Sequence, residues 1–128
     1  MRVGFTAAAV AALLLSTSAT FAKPVCNWGR WYVPPGGTGV MHVNVLSNKP
    51  CTLTRDLRAF GTSQMTQSAQ IAAKPSNGVA TSSGYLVTYR SRPGFAGQDS
   101  FVFQIKGSHN NAPQTWTVRV ELVVSDKL

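Results

Sequence analysis

The sequence is poor in carboxylates and imidazoles, the side chains that most often perform acid–base chemistry and hold metal ions. Of its 128 residues, four are Asp or Glu and two are His. Neither His42 nor His109 lies in a motif with a nucleophile or a metal partner, and no pair of carboxylates suggests glycosidase chemistry. The composition therefore predicts a protein that is not an enzyme and that holds no metal and no cofactor.

The chain also lacks a hydrophobic run long enough to cross a membrane, since a spanning helix needs about 20 apolar residues. Its longest run, residues 7–15, has nine residues, follows Arg2 and precedes the small residues 16–22. This order is typical of a secretory signal peptide. We therefore expect residues 1–22 to be cleaved, residues 23–128 to form one domain, and the protein to be periplasmic or secreted. A permanent N-terminal anchor is the alternative, and the short run disfavours it.

Cysteine is scarce, with Cys26 and Cys51 as the two examples in the chain. In an exported protein such a pair is most simply a disulfide. A redox pair is the alternative, but the two residues do not form a Cys-x-x-Cys motif. We expect a disulfide that closes a loop of about 25 residues and contributes roughly 3.5 kcal/mol to stability.

Positive charge, by contrast, is in large excess. After loss of Arg2, eleven Lys and Arg residues face four acids, a balance of +7. Such a field favours anionic partners, which outside a cell include acidic polysaccharide, phosphorylated lipid headgroups and DNA. Solubility alone explains the charge equally well. No motif for sequence-specific nucleic-acid recognition is present.

Apolar and polar residues alternate along much of the chain, which indicates half-buried strands. The clearest cases are residues 40–46, 85–89, 101–105 and 116–124, and the pattern in 85–89 places both of its tyrosines on one face. Residues 107–113, rich in Asn, are expected to form a hairpin loop. No stretch has a convincing helical period with caps. Short strands separated by Gly and Pro turns predict an all-β sandwich or barrel.

One block, Pro93-Gly94-Phe95-Ala96-Gly97-Gln98-Asp99-Ser100-Phe101, resembles the signature of bacterial Ig-like, cadherin-like extracellular repeats. Weaker landmarks in the same order extend the resemblance over residues 40–124. The resemblance implies an Ig-like antiparallel β-sandwich, present here as a single copy. The other landmarks are residues 43–48, 75–79, 85–89 and 118–124.

Each residue in that block has a sufficient structural role. Pro93 presets its φ angle, and the glycines accept positive φ. Phe95 is placed to plug the end of the core, and Asp99 can accept hydrogen bonds from turn amides.

The sequence departs from calcium-binding members of that family. Those members carry several aspartates after the strand that here ends near Asn48, whereas this chain has Lys49 and no carboxylate in residues 47–51. Calcium takes about six to eight oxygen ligands, usually including carboxylates. Calcium-dependent adhesion is therefore not expected.

Two groups of residues are candidates for ligand binding. Residues 28–32 combine two indoles, a phenol and a guanidinium, which can stack on sugars and clamp an acidic group. An extended segment would place Trp28, Arg30 and Tyr32 on one side, with Trp31 facing the core. Packing of the tryptophans in the core is the alternative. The second group would form an anion site if the fold brings its members together. The alternative is that these residues are ordinary solvated charges. The group comprises Arg55, Arg58, Arg90 and Arg92.

These features predict a non-catalytic binding or adhesion module for an anionic glycan or the envelope surface, without a membrane span after signal cleavage. A structural or assembly protein that acts through protein–protein contacts at an edge strand is the alternative. A secreted enzyme is a third interpretation, and it requires a pocket that collects His42 or His109 with an acid.

Overall fold

Eight β-strands account for the regular structure in the described part of the chain, and no helix occurs there. The all-β prediction is thus confirmed. The computed structural model describes residues 4, 24–29, 31–34, 36–54 and 68–128. The strands are β1 (Cys26–Trp28), β2 (Thr38–Leu46), β3 (Cys51–Thr52), β4 (Ser68–Ala73), β5 (Gly78–Ser83), β6 (Leu86–Ser91), β7 (Gly97–His109) and β8 (Ala112–Ser125).

The expected signal peptide, residues 1–22, lies outside the described residues except for Gly4. Among the described residues, no helix is long and apolar enough to span a membrane.

The strands form a five-stranded sheet in the order β1-β2-β8-β7-β4 and a three-stranded sheet in the order β3-β6-β5. Their packing confirms a β-sandwich. The expectation of purely antiparallel pairing is wrong for one pair, because β2 and β8 run parallel from Thr38↔Thr117 to Leu46↔Ser125. These strands lie far apart in the chain, so no tight hairpin constrains their relative direction.

Side chains that alternate inward from β2, β6, β7 and β8 fill the core, as the sequence pattern predicts for most of these strands. The prediction fails at Tyr85, which does not face the same way as Tyr89: its side chain is 40% exposed. It belongs to the two-residue turn between β5 and β6, where Gly84 has φ 58°, as a type II′ turn requires. The fully buried residues of the four strands include Met41, Val45, Val87, Tyr89, Phe101, Phe103, Ile105, Trp116, Val118 and Val120.

The hairpin between β7 and β8 is tighter than the loop predicted for residues 107–113. The strands pair as far as His109↔Ala112, and the turn consists of Asn110 and Asn111. Their φ angles are 50° and 62°, as both central residues of a type I′ turn need. Asparagine tolerates this left-handed conformation better than most residues, so the Asn-rich segment favours a short turn.

The predicted disulfide is confirmed: Cys26 and Cys51 are bonded, with their Cα atoms 5.9 Å apart. Cys26 belongs to β1, at one edge of the five-stranded sheet, and Cys51 belongs to β3, at one edge of the three-stranded sheet. The bond therefore ties the two sheets together at one side of the sandwich.

Asp99 also links the two sheets, at the other side of the sandwich, where β4 and β5 are the edge strands. Its carboxylate accepts hydrogen bonds from the backbone N–H groups of Ser76 (3.0 Å) and Asn77 (3.1 Å). It also accepts from the N–H of Ser100 (2.9 Å) and the hydroxyl of Tyr89 (2.7 Å). The prediction that Asp99 accepts from turn amides is confirmed, and the turn is the one that links the two sheets between β4 and β5.

Deprotonation of Tyr89 is expected to destabilise the fold at high pH. The side chain is fully buried. Burial, followed by the hydrogen bond and charge of Asp99, raises the pKa of Tyr89 well above its ordinary value. Above about pH 10 the unfolded chain releases this proton while the folded chain retains it, so the free energy of unfolding falls as pH rises.

The comparison that checks this is between the wild-type protein and Tyr89→Phe, melted at intervals from pH 8 to 11. The comparison isolates Tyr89, because every other residue is the same in both proteins. The stability advantage of the wild type should shrink above about pH 10. A gap that stays constant across the range would contradict the assignment.

Candidate ligand-binding surface

The described aromatic side chains of residues 28–32 divide between the core and the surface. Strand β1 ends at Trp28, and both Trp28 and Trp31 are half-buried and pack against the core. Tyr32 is 61% exposed. Among the described aromatic residues of this segment, it is the one that a ligand can reach. Arg30 lies outside the described residues.

Of the four arginines in the second group, Arg90 and Arg92 are described and both are exposed, whereas Arg55 and Arg58 lie outside the described residues. In β6 the side chains of Val87, Tyr89 and Ser91 point into the core. Arg90 therefore points outward, and the exposed Arg92 follows the last residue of β6.

The turn between β2 and β3 lies beside these arginines. Asn48 occupies this turn with φ 57°, and its side-chain Oδ1 accepts a hydrogen bond from Nε of Arg90 at 3.0 Å. Its backbone N–H donates to Oγ of Ser91 at 2.8 Å. The exposed Lys49 follows Asn48 directly in the chain, so this turn adds a third positive charge next to the residue that Arg90 contacts.

Arg92 is held by the turn that follows β6. The N–H of Phe95 donates to the carbonyl of Arg92 at 3.3 Å, and Gly94 has φ 77°, as expected at the third position of a type II turn. The guanidinium carbon of Arg92 lies 5.4 Å from the centroid of the Phe95 ring, a favourable cation–π distance. Phe95 itself packs against the core, so it connects Arg92 to the core.

We call Lys49, Arg90 and Arg92 the cationic corner. Within the described residues, the ion pair of the protein joins Arg119 and Glu121, and no carboxylate pairs with the corner. Asp99, near the start of β7, is buried and already accepts four hydrogen bonds. The corner is therefore an exposed positive surface, and none of the described carboxylates serves as its counter-ion.

The described members of the two predicted groups, Tyr32 in the first and Arg90 and Arg92 in the second, lie at different ends of the sandwich. The backbone of Tyr32 lies near Gly39, at the start of β2, where an added Cβ would be 3.3 Å from the Tyr32 carbonyl oxygen. The cationic corner begins just after Leu46, at the other end of β2. The seven intervening residue steps of strand span about 23 Å.

Asn48 and Lys49 were not among the predicted site residues. Their turn is evident in the sequence from the Ser-Asn-Lys-Pro order, but a turn signal does not reveal which strand packs beside it. The hydrogen bond from Arg90 to Asn48 joins residues 42 positions apart, and only the fold determines such a contact.

A shallow groove of about 360 Å³ crosses the outer face of the five-stranded sheet and brings His42 beside Glu121. Glu121 is already paired with Arg119 at 2.5 Å. The residues that line the groove include no Ser, Thr or Cys nucleophile. His109 ends β7 and is half-buried. In the described residues, no group of three His, Cys, Asp or Glu could hold a metal ion.

No protein-family model, curated protein or solved structure matches the chain.

Proposed function

We propose that this chain is an exported, non-catalytic binding or adhesion module of the Ig-like type whose ligand is an anionic glycan of the cell envelope. The observation that carries the proposal is the cationic corner. It consists of three exposed cations on two adjoining segments, and contacts with Asn48 and Phe95 fix two of them. No described carboxylate pairs with it.

The overall charge supports the same conclusion. Eleven basic residues against four acids in residues 23–128 attract polyanions at long range. The cationic corner gives that attraction a defined contact point, because arginine presents a planar set of donors that matches sulfate, phosphate or carboxylate groups.

The Ig-like subtype and the location outside the cytoplasm are parts of this proposal. In favour of the subtype are two packed sheets, a disulfide between them and the resemblance of residues 93–101 to Ig-like repeats. In favour of export are the disulfide, which persists in oxidising compartments, and the signal-like residues 1–22.

The alternative is an assembly protein that pairs through an edge strand. Strand β5 favours it, because residues Gly78–Ser83 lie at the edge of the three-stranded sheet, carry no charge and include Val79, which is 63% exposed. Against it, β5 lies alongside β4, whose Ala69 N–H donates to the carbonyl of Gly84 at 2.7 Å. The edge is therefore partly covered, and the binding function is better supported.

Loss of the corner charges is expected to weaken binding to an anionic glycan. The probes are a sulfated glycan, a polyuronate and neutral dextran, each measured by calorimetry or surface plasmon resonance at several salt concentrations. Arg90→Gln/Arg92→Gln should reduce affinity for the two acidic glycans by about tenfold or more, since charge-assisted hydrogen bonds are lost. The dependence of affinity on salt should also become flatter.

The matched control is Lys106→Gln/Arg119→Gln, which removes the same charge from exposed positions on the five-stranded sheet. It should leave affinity nearly unchanged. Equal losses in both double variants would show that net charge alone governs binding.

Tyr32→Ala provides the test of the aromatic segment, because loss of stacking should lower affinity without a change in salt dependence. Failure of every acidic glycan to bind the wild-type protein would refute the proposed function.

A further inference from the structure

The hydrogen bond between Asn48 and Arg90 determines how the arginine meets a ligand. Arg90 uses Nε to donate to Oδ1 of Asn48, which leaves the two parallel N–H groups at the end of the guanidinium directed away from that contact. A guanidinium engaged in this way offers two parallel donors at its end, the geometry that binds two oxygens of one oxyanion. An arginine without such a partner would distribute its five donors over many orientations.

Asn48 is itself held firmly enough to act in this way. Its backbone N–H donates to Oγ of Ser91 at 2.8 Å, and the hydroxyl of Ser91 donates to the carbonyl of Arg92 at 3.2 Å. Ser91 is buried. Asn48 is therefore attached to the end of β6 through both its backbone and its side chain.

We infer that Asn48 is a positioning residue that orients Arg90, so that the cationic corner binds an oxyanion of a glycan, sulfate or carboxylate, through paired hydrogen bonds rather than as a diffuse positive surface. This inference rests on the proposed function. Arg92, whose guanidinium lies over the ring of Phe95, supplies a second oriented guanidinium two residues further along the chain. Lys49 contributes a mobile point charge.

The arrangement fits a glycan better than a membrane surface. Polybasic segments that bind anionic lipid typically collect about four to eight basic residues. The cationic corner supplies three, two of them fixed by specific contacts. Oriented donors of this kind discriminate the shape of an acidic group, whereas adsorption to a bilayer requires only charge.

The experiment that tests the inference retains the charge and changes the geometry. Arg90→Lys keeps one positive charge at the position but removes the paired donors. Its affinity for the sulfated glycan should fall about tenfold, close to the loss in Arg90→Gln. The salt dependence of Arg90→Lys should remain that of the wild type, because the number of charges is the same.

A second pair of variants tests Asn48 directly. Asn48→Asp keeps the shape and the acceptor but places a carboxylate on Arg90, and its affinity should fall by about tenfold or more. Asn111→Asp is the matched control, since Asn111 has the same left-handed conformation in the turn before β8 and the change adds the same single negative charge. Asn48→Gly retains the backbone conformation, frees Arg90 and should bind more weakly than the wild type.

The outcomes distinguish the positioning role of Asn48 from the proposed function of the protein. If Arg90→Lys and Asn48→Gly bind as tightly as the wild type while Arg90→Gln/Arg92→Gln does not, the proposed function stands and the positioning role is refuted. Equal losses in Asn48→Asp and Asn111→Asp would also refute it. Binding to phosphatidylglycerol vesicles but to no acidic glycan would overturn both the inferred ligand and the proposed function.

Discussion

Replacing Asp99 with alanine is expected to lower the free energy of unfolding by about 3 to 4 kcal/mol, because a charged acceptor is lost to several donors at once. The buried hydroxyl of Tyr89 loses its partner. The backbone amides of Ser76 and Asn77, which hold the turn between the sheets, lose theirs as well. Urea denaturation of the purified variant measures the change.

Two companion variants locate the source of the loss. Asp99→Asn keeps the shape and one acceptor oxygen, so it should cost less than Asp99→Ala. Asp99→Ala/Tyr89→Phe should cost less than the sum of its two single changes, because both remove the same hydrogen bond. A loss below about 1 kcal/mol for Asp99→Ala would indicate that water satisfies the turn amides, and that this carboxylate does not hold the sheets together.

Loss of the disulfide is the second large effect. Cys51→Ser should lower the free energy of unfolding by about 3.5 kcal/mol, since the cross-link closes a loop of 25 residues and restricts the unfolded chain. The substitution also buries a hydroxyl at a position that is 1% exposed, which adds to the loss. Chemical denaturation of the oxidised wild type and of the variant gives the difference.

Chemical reduction of the wild-type protein removes the cross-link without changing a side chain, so it distinguishes the two effects of Cys51→Ser. A thiol reductant should destabilise the wild-type protein by somewhat less than Cys51→Ser does, since it buries no hydroxyl, and it should leave Cys51→Ser unaffected. Mass spectrometry of protein purified without reductant should find no free thiol at Cys26 or Cys51. Two free thiols in native material, or equal stability with and without reductant, would contradict a stabilising disulfide.

The inward pattern of the strands could be predicted from the sequence because it is a local property. In β7 and β8, alternate residues such as Phe101, Phe103 and Trp116 are buried, and period-two alternation specifies this without knowledge of the partner strands. The same reasoning fails at Tyr85, because the strand begins one residue later, after a turn centred on Gly84 and Tyr85. Alternation predicts a face but does not determine where a strand begins.

Contacts between distant segments could not be predicted in this way. Composition identifies Arg90 and Arg92 as cations, but it does not show that Asn48 orients one of them. It also does not show that Asp99 accepts from the turn between β4 and β5. Each contact depends on which turns the two sheets bring together, and many arrangements of the same strands are compatible with the same local pattern.

The burial of the aromatic residues in the segment 28–32 could not be predicted from the sequence either. Two indoles, a phenol and a guanidinium close in sequence suggest a binding patch, but Trp28 and Trp31 contribute to the core and Tyr32 is exposed. Aromatic side chains serve equally well in cores and in binding sites. Their exposure depends on how β1 lies against β2, which neighbouring residues alone do not specify.

The sequence by itself determined the all-β class, the inward faces of the long strands, the disulfide pair and the excess of positive charge. These follow from local alternation, from turn-forming residues and from counts that hold in any fold. The tertiary structure alone decided the parallel pairing of β2 with β8, the attachment of Asp99 to a distant turn and the assembly of the cationic corner. The physical reason is that these contacts join residues far apart in the chain, and only the packing of two sheets brings them within bonding distance.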